Sequence, residues 1–343
     1  MLTRRRMLAL AAGLLVAPGA ARATPARPAQ GTAAEAPPLR LGLLQFGSGA
    51  WEIAAMEALG LAAASGVTLA TTRFASNDAG RIAFQAGAVD AMLGDLLWAA
   101  RVKAEGRDLR YLPFSSSEGA VMVPDGSPVR SVADLAGRRL GVAGGALDKS
   151  WLLLKAHARA SGLDLESAAQ PVFAAPPLLA AELEQGRLDA ALLYWTFCAR
   201  LEPKGFRRLV SVADLVRGLG IAPAPTLVGY IFDGAFARAH PHVVAGFATA
   251  SRATKTALAS SDAALSGPAW AAARPQMQAP DEATFAALRR GFIAGVPDLP
   301  IAAERKAAAA LYEVLAKLGG AQLVGPAPRL PEGLYLDPEP AAR

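Results

Sequence analysis

The stretch Ser131–Ser150 constrains the fold more than any other part of the chain. Its spacing predicts a short helix, a buried strand, a glycine turn and the start of a second helix. Ser131 is placed to cap the first turn, and Gly137 to close it in a left-handed conformation. Leu140, Gly141 and Val142 form a small apolar strand core. Gly144 and Gly145 let the backbone turn with no Cβ in the way. The helix expected over Ser150–Ala160 then opens with N–H groups aimed at the space above the strand end. Such a turn cradles a ligand. No Cys or paired His lies nearby to suggest chemistry.

Strand-like and helix-like segments alternate along the rest of the chain, which predicts α/β layers. Leu39–Phe46, Val67–Phe74, Asp90–Gly94 and Leu109–Phe114 read as strands of a first lobe. Ala120–Val123 crosses into a second lobe, which adds strands at Gln170–Phe173, Asp189–Trp195 and Phe206–Val212. Leu227–Phe232 reads as the return to the first lobe. Helices are then expected over Pro241–Ala259, Asp281–Ala294 and Ala302–Leu318, followed by a Pro-rich extended tail. The expected organisation is therefore a first lobe over 39–119 and 227–325, a second over 120–226, and a tail over 326–343. A short echo links the lobes. Residues 85–91 and 184–190 each read as a helix end, a closing Gly and a strand opened by Asp.

The N-terminus reads as an address. Arg4, Arg5 and Arg6 precede a short apolar run over Leu8–Val16, and Ala21-Arg22-Ala23 has the small-x-small form of a cleavage site. The run is too short for a durable membrane anchor. The expectation is a twin-arginine export signal over 1–23, cleaved after Ala23, with a flexible leader over 24–38. The signal holds four arginines (Arg4, Arg5, Arg6, Arg22) and no acid, so its removal takes the formal charge from +6 to +2. The basic balance is thus partly an export feature, and no nucleic-acid partner is expected. Cys198, the only cysteine, leaves no internal disulfide. His157, His240 and His242 are too few and too scattered for a transition-metal site. No cofactor is expected.

The order of these motifs resembles the type II periplasmic solute-binding proteins of ABC importers, within them the nitrate/sulfonate/taurine and thiamine-pyrimidine-precursor branch. The resemblance is carried by Gln85–Asp95, by Val123–Pro128 followed by Ser131–Gly145, and by Glu184–Trp195. It implies two α/β lobes, each a sheet flanked by helices, joined by two crossing strands and closing on a solute like a hinged clamp. It also implies a monomeric, non-enzymatic periplasmic protein that hands a small organic solute to a membrane permease and its ATPase.

In open α/β sheets, ligands sit beyond the carboxyl ends of the strands. Here those ends carry Ser48, Gly49, Trp51, Asn77, Asp78, Asp95, Ser115, Ser116, Gly145, Asp148, Lys149, Ser150, Tyr194 and Trp195, the candidate ligand-binding residues. Small residues admit a ligand, hydroxyls and N–H groups orient it, and the aromatic rings wall it. The same loops are acidic: Glu52, Asp78, Asp95, Glu118 and Asp148 face few basic partners, chiefly Arg81 and Lys149. Such a set suits an amine, a zwitterion or a hard cation better than a sulfonate. Asp95, directly after a strand and Gly94, is the first candidate to read a cation. Two other readings compete: a metal or metal-chelate binding protein, and an enzyme of the thiamine-pyrimidine type on the same fold. The second lacks a Cys cluster.

Overall fold

The computed structural model describes residues 36–45 and 47–336. The expected signal, most of the leader, Phe46 and the last seven residues of the tail lie outside the described residues.

Among the described residues, ten strands form two five-stranded sheets. The first holds β1 (Leu39–Leu44), β2 (Leu69–Phe74), β3 (Ala91–Asp95), β4 (Leu109–Ser115) and, from the far side of the chain, β10 (Val228–Asp233). The second holds β5 (Gly119–Pro124), β6 (Arg139–Ala143), β7 (Gln170–Ala174), β8 (Ala190–Tyr194) and β9 (Phe206–Ser211). Their orders are β2-β1-β3-β10-β4 and β7-β6-β8-β5-β9. The two sheets thus share one plan. Three strands run parallel, and one strand contributed by the chain's crossing inserts antiparallel beside the third. The chain passes from the first sheet to the second between β4 and β5, and returns after β9 through β10.

The short echo in the sequence is a shared clamp. Asp90 accepts from the Arg40 backbone N–H at 3.0 Å and from its Nε at 2.9 Å, while Arg40 Nη1 reaches the Gly87 carbonyl at 3.0 Å. In the second sheet Asp189 accepts from the Arg139 N–H at 2.8 Å and Nε at 3.2 Å, and Arg139 Nη2 reaches the Gly186 carbonyl at 3.0 Å. Each Asp opens the third strand of its sheet against the start of the first strand. Each Gly, at positive φ, closes the preceding helix. The clamp sets parallel register at the strand starts, so the carboxyl ends of the strands come out level.

Helices cover both sheets. One apolar core gathers Leu39, Leu41, Trp51, Phe114, Tyr230, Phe247 and Trp270. Another runs through both sheets. It joins Met92, Tyr111 and Ile231 of the first to Val121, Leu140 and Leu192 of the second, with Leu311, Tyr312 and Leu315 of the helix Ile301–Val324 packed between. That long helix ties the two halves by apolar burial, at about 25 cal/mol per Å² removed from water. The tail returns to the first sheet. Leu334 and Leu336 hydrogen-bond to the Tyr111 backbone at 2.7 and 2.9 Å, and Tyr335 stacks edge-on to Tyr111.

Most expected elements appear within two or three residues of their predicted bounds, and Pro241–Ala259 appears as predicted. The expected helix from Trp51 to Ala64 is two helices, Ser48–Ala58 and Leu61–Ala64, because Gly60 takes a left-handed conformation between them. The helix Ala263–Met277 was not expected from the sequence. It holds Pro268 and Pro275 in its interior, where proline ordinarily breaks a helix. Trp270 and Ala273 bury its inner face, and this packing outweighs the lost hydrogen bonds. The last helix, predicted to end at Leu318, continues to Val324 across a kink at Gly320.

Candidate functional site

The level strand ends bring β3, β6 and β8 to one place. β3 ends in Asp95, which is also the cap of the helix Leu96–Ala104. Its Oδ1 accepts from the Leu97 N–H at 2.8 Å and the Trp98 N–H at 3.3 Å. β6 leads through Gly144 and Gly145 to Asp148, the cap of the helix Lys149–Ala160, whose Oδ1 accepts from the Ser150 N–H at 2.9 Å. The helix begins one residue earlier than predicted, so Lys149 occupies its first position.

From there Lys149 reaches across the two sheets. Its Nζ lies 2.5 Å from Asp95 Oδ2 and 3.1 Å from Glu118 Oε2. Glu118 sits in the link between β4 and β5, where the chain crosses from one sheet to the other. The Glu118 side chain is only 10 % exposed, and its second oxygen, Oε1, is buried without a hydrogen-bond partner. The Gly144 turn has Asp148 Oδ2 and the Tyr194 hydroxyl pressed close on one side. A Cβ on Gly144 would lie 2.5 Å from the first and 2.8 Å from the second. Gly144 also has a φ of +91°, so glycine is required there twice over.

Electrostatics follow from three carboxylates around one ammonium. Burial first, then Asp95 and Asp148, push the Glu118 carboxyl up to about 7 against the opposing pull of Lys149. Burial also raises Asp148. Burial alone would lower Lys149, but Asp95, Glu118 and Asp148 together hold it well above its ordinary value. Burial and the Asp148 charge push the Tyr194 phenol up to about 12. Lys149 is therefore charged, and Glu118 is poised to change charge near neutral pH.

Of the expected site residues, the structure brings Asp95, Gly145, Asp148, Lys149, Ser150 and Tyr194 to this cluster or its turn. Others go elsewhere. Trp51 and Trp195 are not walls of a cleft but core. They meet edge-on at 5.6 Å, Trp51 Nε1 donates to the Gln276 carbonyl, and Trp195 lies against Gly291. Ser48 and Gly49 are the first residues of the helix Ser48–Ala58, and Gly49 packs tightly on Leu93 and Leu43. Asn77 and Asp78 sit exposed in the first turn of their helix, where Asp78 pairs with Arg81 at 3.3 Å. Ser115 and Ser116 dock the crossing link. The Ser115 hydroxyl accepts from Ser117 N–H, and Ser116 N–H donates to the Gly295 carbonyl. Glu52, expected among the acidic loops, is fully buried and pairs with Lys255 at 2.7 Å and with the Ser251 hydroxyl at 2.6 Å.

Glu118 is one of the acidic loop residues but not one of the fourteen candidate ligand-binding residues of the sequence. Its signal was position: a carboxylate in the short polar link where the chain changes sheets.

Two five-stranded mixed sheets of one plan, with their strand ends meeting at a charged cluster, define the fold of the periplasmic binding proteins. Residues 103–264, from the end of the helix before β4 to the start of the helix Ala263–Met277, match the NMT1/THI5-like family. The periplasmic aliphatic sulphonate binding protein SsuA of Escherichia coli is similar in fold, with a TM-score of 0.65 and 20% identity over 85% of this chain and 95% of that one. The alkanesulfonate-binding protein SsuA of Xanthomonas axonopodis pv. citri, bound to MOPS, gives 0.62 and 20% over 89% and 99%. The desulfurization enzyme DSZB gives 0.53 and 19% over 82% and 91%. The fold therefore hosts both binding proteins and an enzyme. A comparison with curated proteins gives no match.

Proposed function

We propose that the chain is the solute-binding component of an ABC importer, working in the periplasm after removal of residues 1–23. It would capture a small organic solute where the two sheets' strand ends meet, and present it to a membrane permease and its ATPase. The observation that carries this reading is the Lys149–Asp95 pair beside Glu118. It joins the two sheets through charged side chains at the place where open α/β sheets hold ligands. The likeness in fold to the sulfonate-binding proteins supports it. Among the described residues no helix is long and apolar enough to cross a membrane.

The enzyme reading has less support. Cys198 is buried in the second sheet's core, with its thiol against the Ala120 and Leu193 carbonyls and pushed up to about 12 by burial, which suits packing and not nucleophilic attack. For the metal reading, Lys149 Nζ already stands between Asp95 and Glu118 where a cation would go. Among the described residues no group of three His, Cys, Asp or Glu is arranged to hold a metal ion.

The test is a thermal-shift screen of the chain against amines, amino acids, sulfonates, pyrimidines and divalent metals. A ligand at about 100 times its dissociation constant stabilises by about 2.7 kcal/mol. A saturable shift with an organic solute that is recovered unchanged supports the reading. Conversion of the solute would replace binding by catalysis, and a shift by metals alone would favour the metal protein.

A further inference from the structure

We propose that Glu118 and Asp148, with the Tyr194 hydroxyl at the same glycine turn as Asp148, take the cationic head group, ammonium or amidinium, of an organic solute. This rests on the solute-binding reading and adds the charge and the residues.

Asp95 spends one oxygen on capping its helix and the other on Lys149. Glu118 Oε2 pairs with the Lys149 ammonium, and Asp148 Oδ1 accepts from the Ser150 N–H. Glu118 Oε1 is left buried with no donor. Asp148 Oδ2 is left at the glycine turn beside the Tyr194 hydroxyl. A buried carboxylate oxygen without a donor is costly in a folded chain, and a donor-rich cation relieves that cost. The local charge agrees. Lys149 is the basic group paired with Glu118, and it is already shared between two carboxylates. An arriving anion would meet Asp95, Glu118 and Asp148 around an ammonium that is already paired. An arriving cation restores balance. The tertiary structure thus moves the cation-reading role from Asp95, whose oxygens are both occupied, to Glu118 and Asp148.

A matched trio of probes tests this: butylamine, 4-aminobutane-1-sulfonate and butane-1-sulfonate, titrated calorimetrically into the full chain. Butylamine and the zwitterion are expected to bind and butane-1-sulfonate not. Glu118→Gln keeps the shape and removes the charge, and should weaken butylamine at least tenfold. Asp148→Asn should do the same while keeping its helix cap, since Asn caps as well as Asp. An unchanged circular dichroism spectrum shows that each variant is folded, and two variants guard against the loss of one. Binding of butane-1-sulfonate without butylamine overturns the inference but leaves a solute-binding protein. Butylamine binding unchanged in both variants overturns the inference as well. No binding by any of the three overturns the inference and counts against the solute-binding reading beneath it.

Discussion

Glu118→Gln should make the stability of the chain less dependent on pH between about 5 and 8. The wild-type carboxyl ordinarily titrates at 4.5 and is pushed up to about 7 in the folded chain by burial, Asp95 and Asp148. Below pH 4.5 both the folded and the unfolded chain hold the proton, and nothing is lost. As pH rises toward 7 the unfolded chain releases its proton freely while the folded chain retains it, so folding becomes less favourable. Above 7 the loss is complete. At about 1.4 kcal/mol per pH unit, the gap from 4.5 to about 7 amounts to about 3 kcal/mol. Glutamine has no such proton, so the variant escapes the loss. The stability difference, variant minus wild type, should therefore grow by about 3 kcal/mol between pH 4.5 and 8. Titrating groups remote from Glu118 affect both chains alike and cancel in that difference, whereas Lys149, Asp95 and Asp148, which share its charge, add a smaller change of their own. Guanidinium unfolding of both chains at several pH values reads it directly. A difference that stays flat with pH, or shrinks as pH rises, would refute the burial argument for Glu118.

Lys149→Met strips the ammonium from Asp95 and Glu118 and should cost about 3–5 kcal/mol at pH 8 and less at pH 5, where Glu118 takes up a proton; denaturant midpoints at the two pH values check both. Glu52→Gln leaves Lys255 buried without its carboxylate and should cost a similar amount, whereas the double change Glu52→Leu with Lys255→Met should restore most of it, as thermal melts of the three chains would show. Gly119→Ala places a Cβ 2.0 Å from the Leu193 carbonyl oxygen, at the junction of the crossing link with β5. The backbone must shift, at a cost of about 1–3 kcal/mol visible in chemical denaturation. Replacing Arg4 and Arg5 together by Lys should stop export of the chain, which fractionation of expressing cells would reveal as cytoplasmic retention.

Local features were legible because their causes are local. The alternation of strand and helix, the Gly137 and Gly87 closures and the helix entry at Pro241 each depend on residues within one turn of each other. The duplicated junction at Gly87–Asp90 and Gly186–Asp189 was visible as a repeated pattern. Its partners Arg40 and Arg139 were not, because each lies 50 residues earlier in the chain. The helix Ala263–Met277 was hidden by Pro268 and Pro275. Local rules count those prolines against a helix, and only the buried Trp270 face counts for it.

The sequence alone determined that this chain builds two α/β sheets and carries charged and small residues at their strand ends. Periodicity, caps and glycine turns act over a few residues and need no partner. Tertiary structure decided which of those residues meet. Trp51 and Glu52 were equally plausible at a cleft, and packing took both into the core. Asp95 looked free to read a cation, and folding brought Lys149 to it from 54 residues away. Glu118 had no distinguishing local pattern, and it became the buried, half-satisfied carboxylate only because the chain changes sheets at that point. Charge sign at such a site depends on which groups share a low-dielectric space, and that is set by strand order and not by neighbours in sequence.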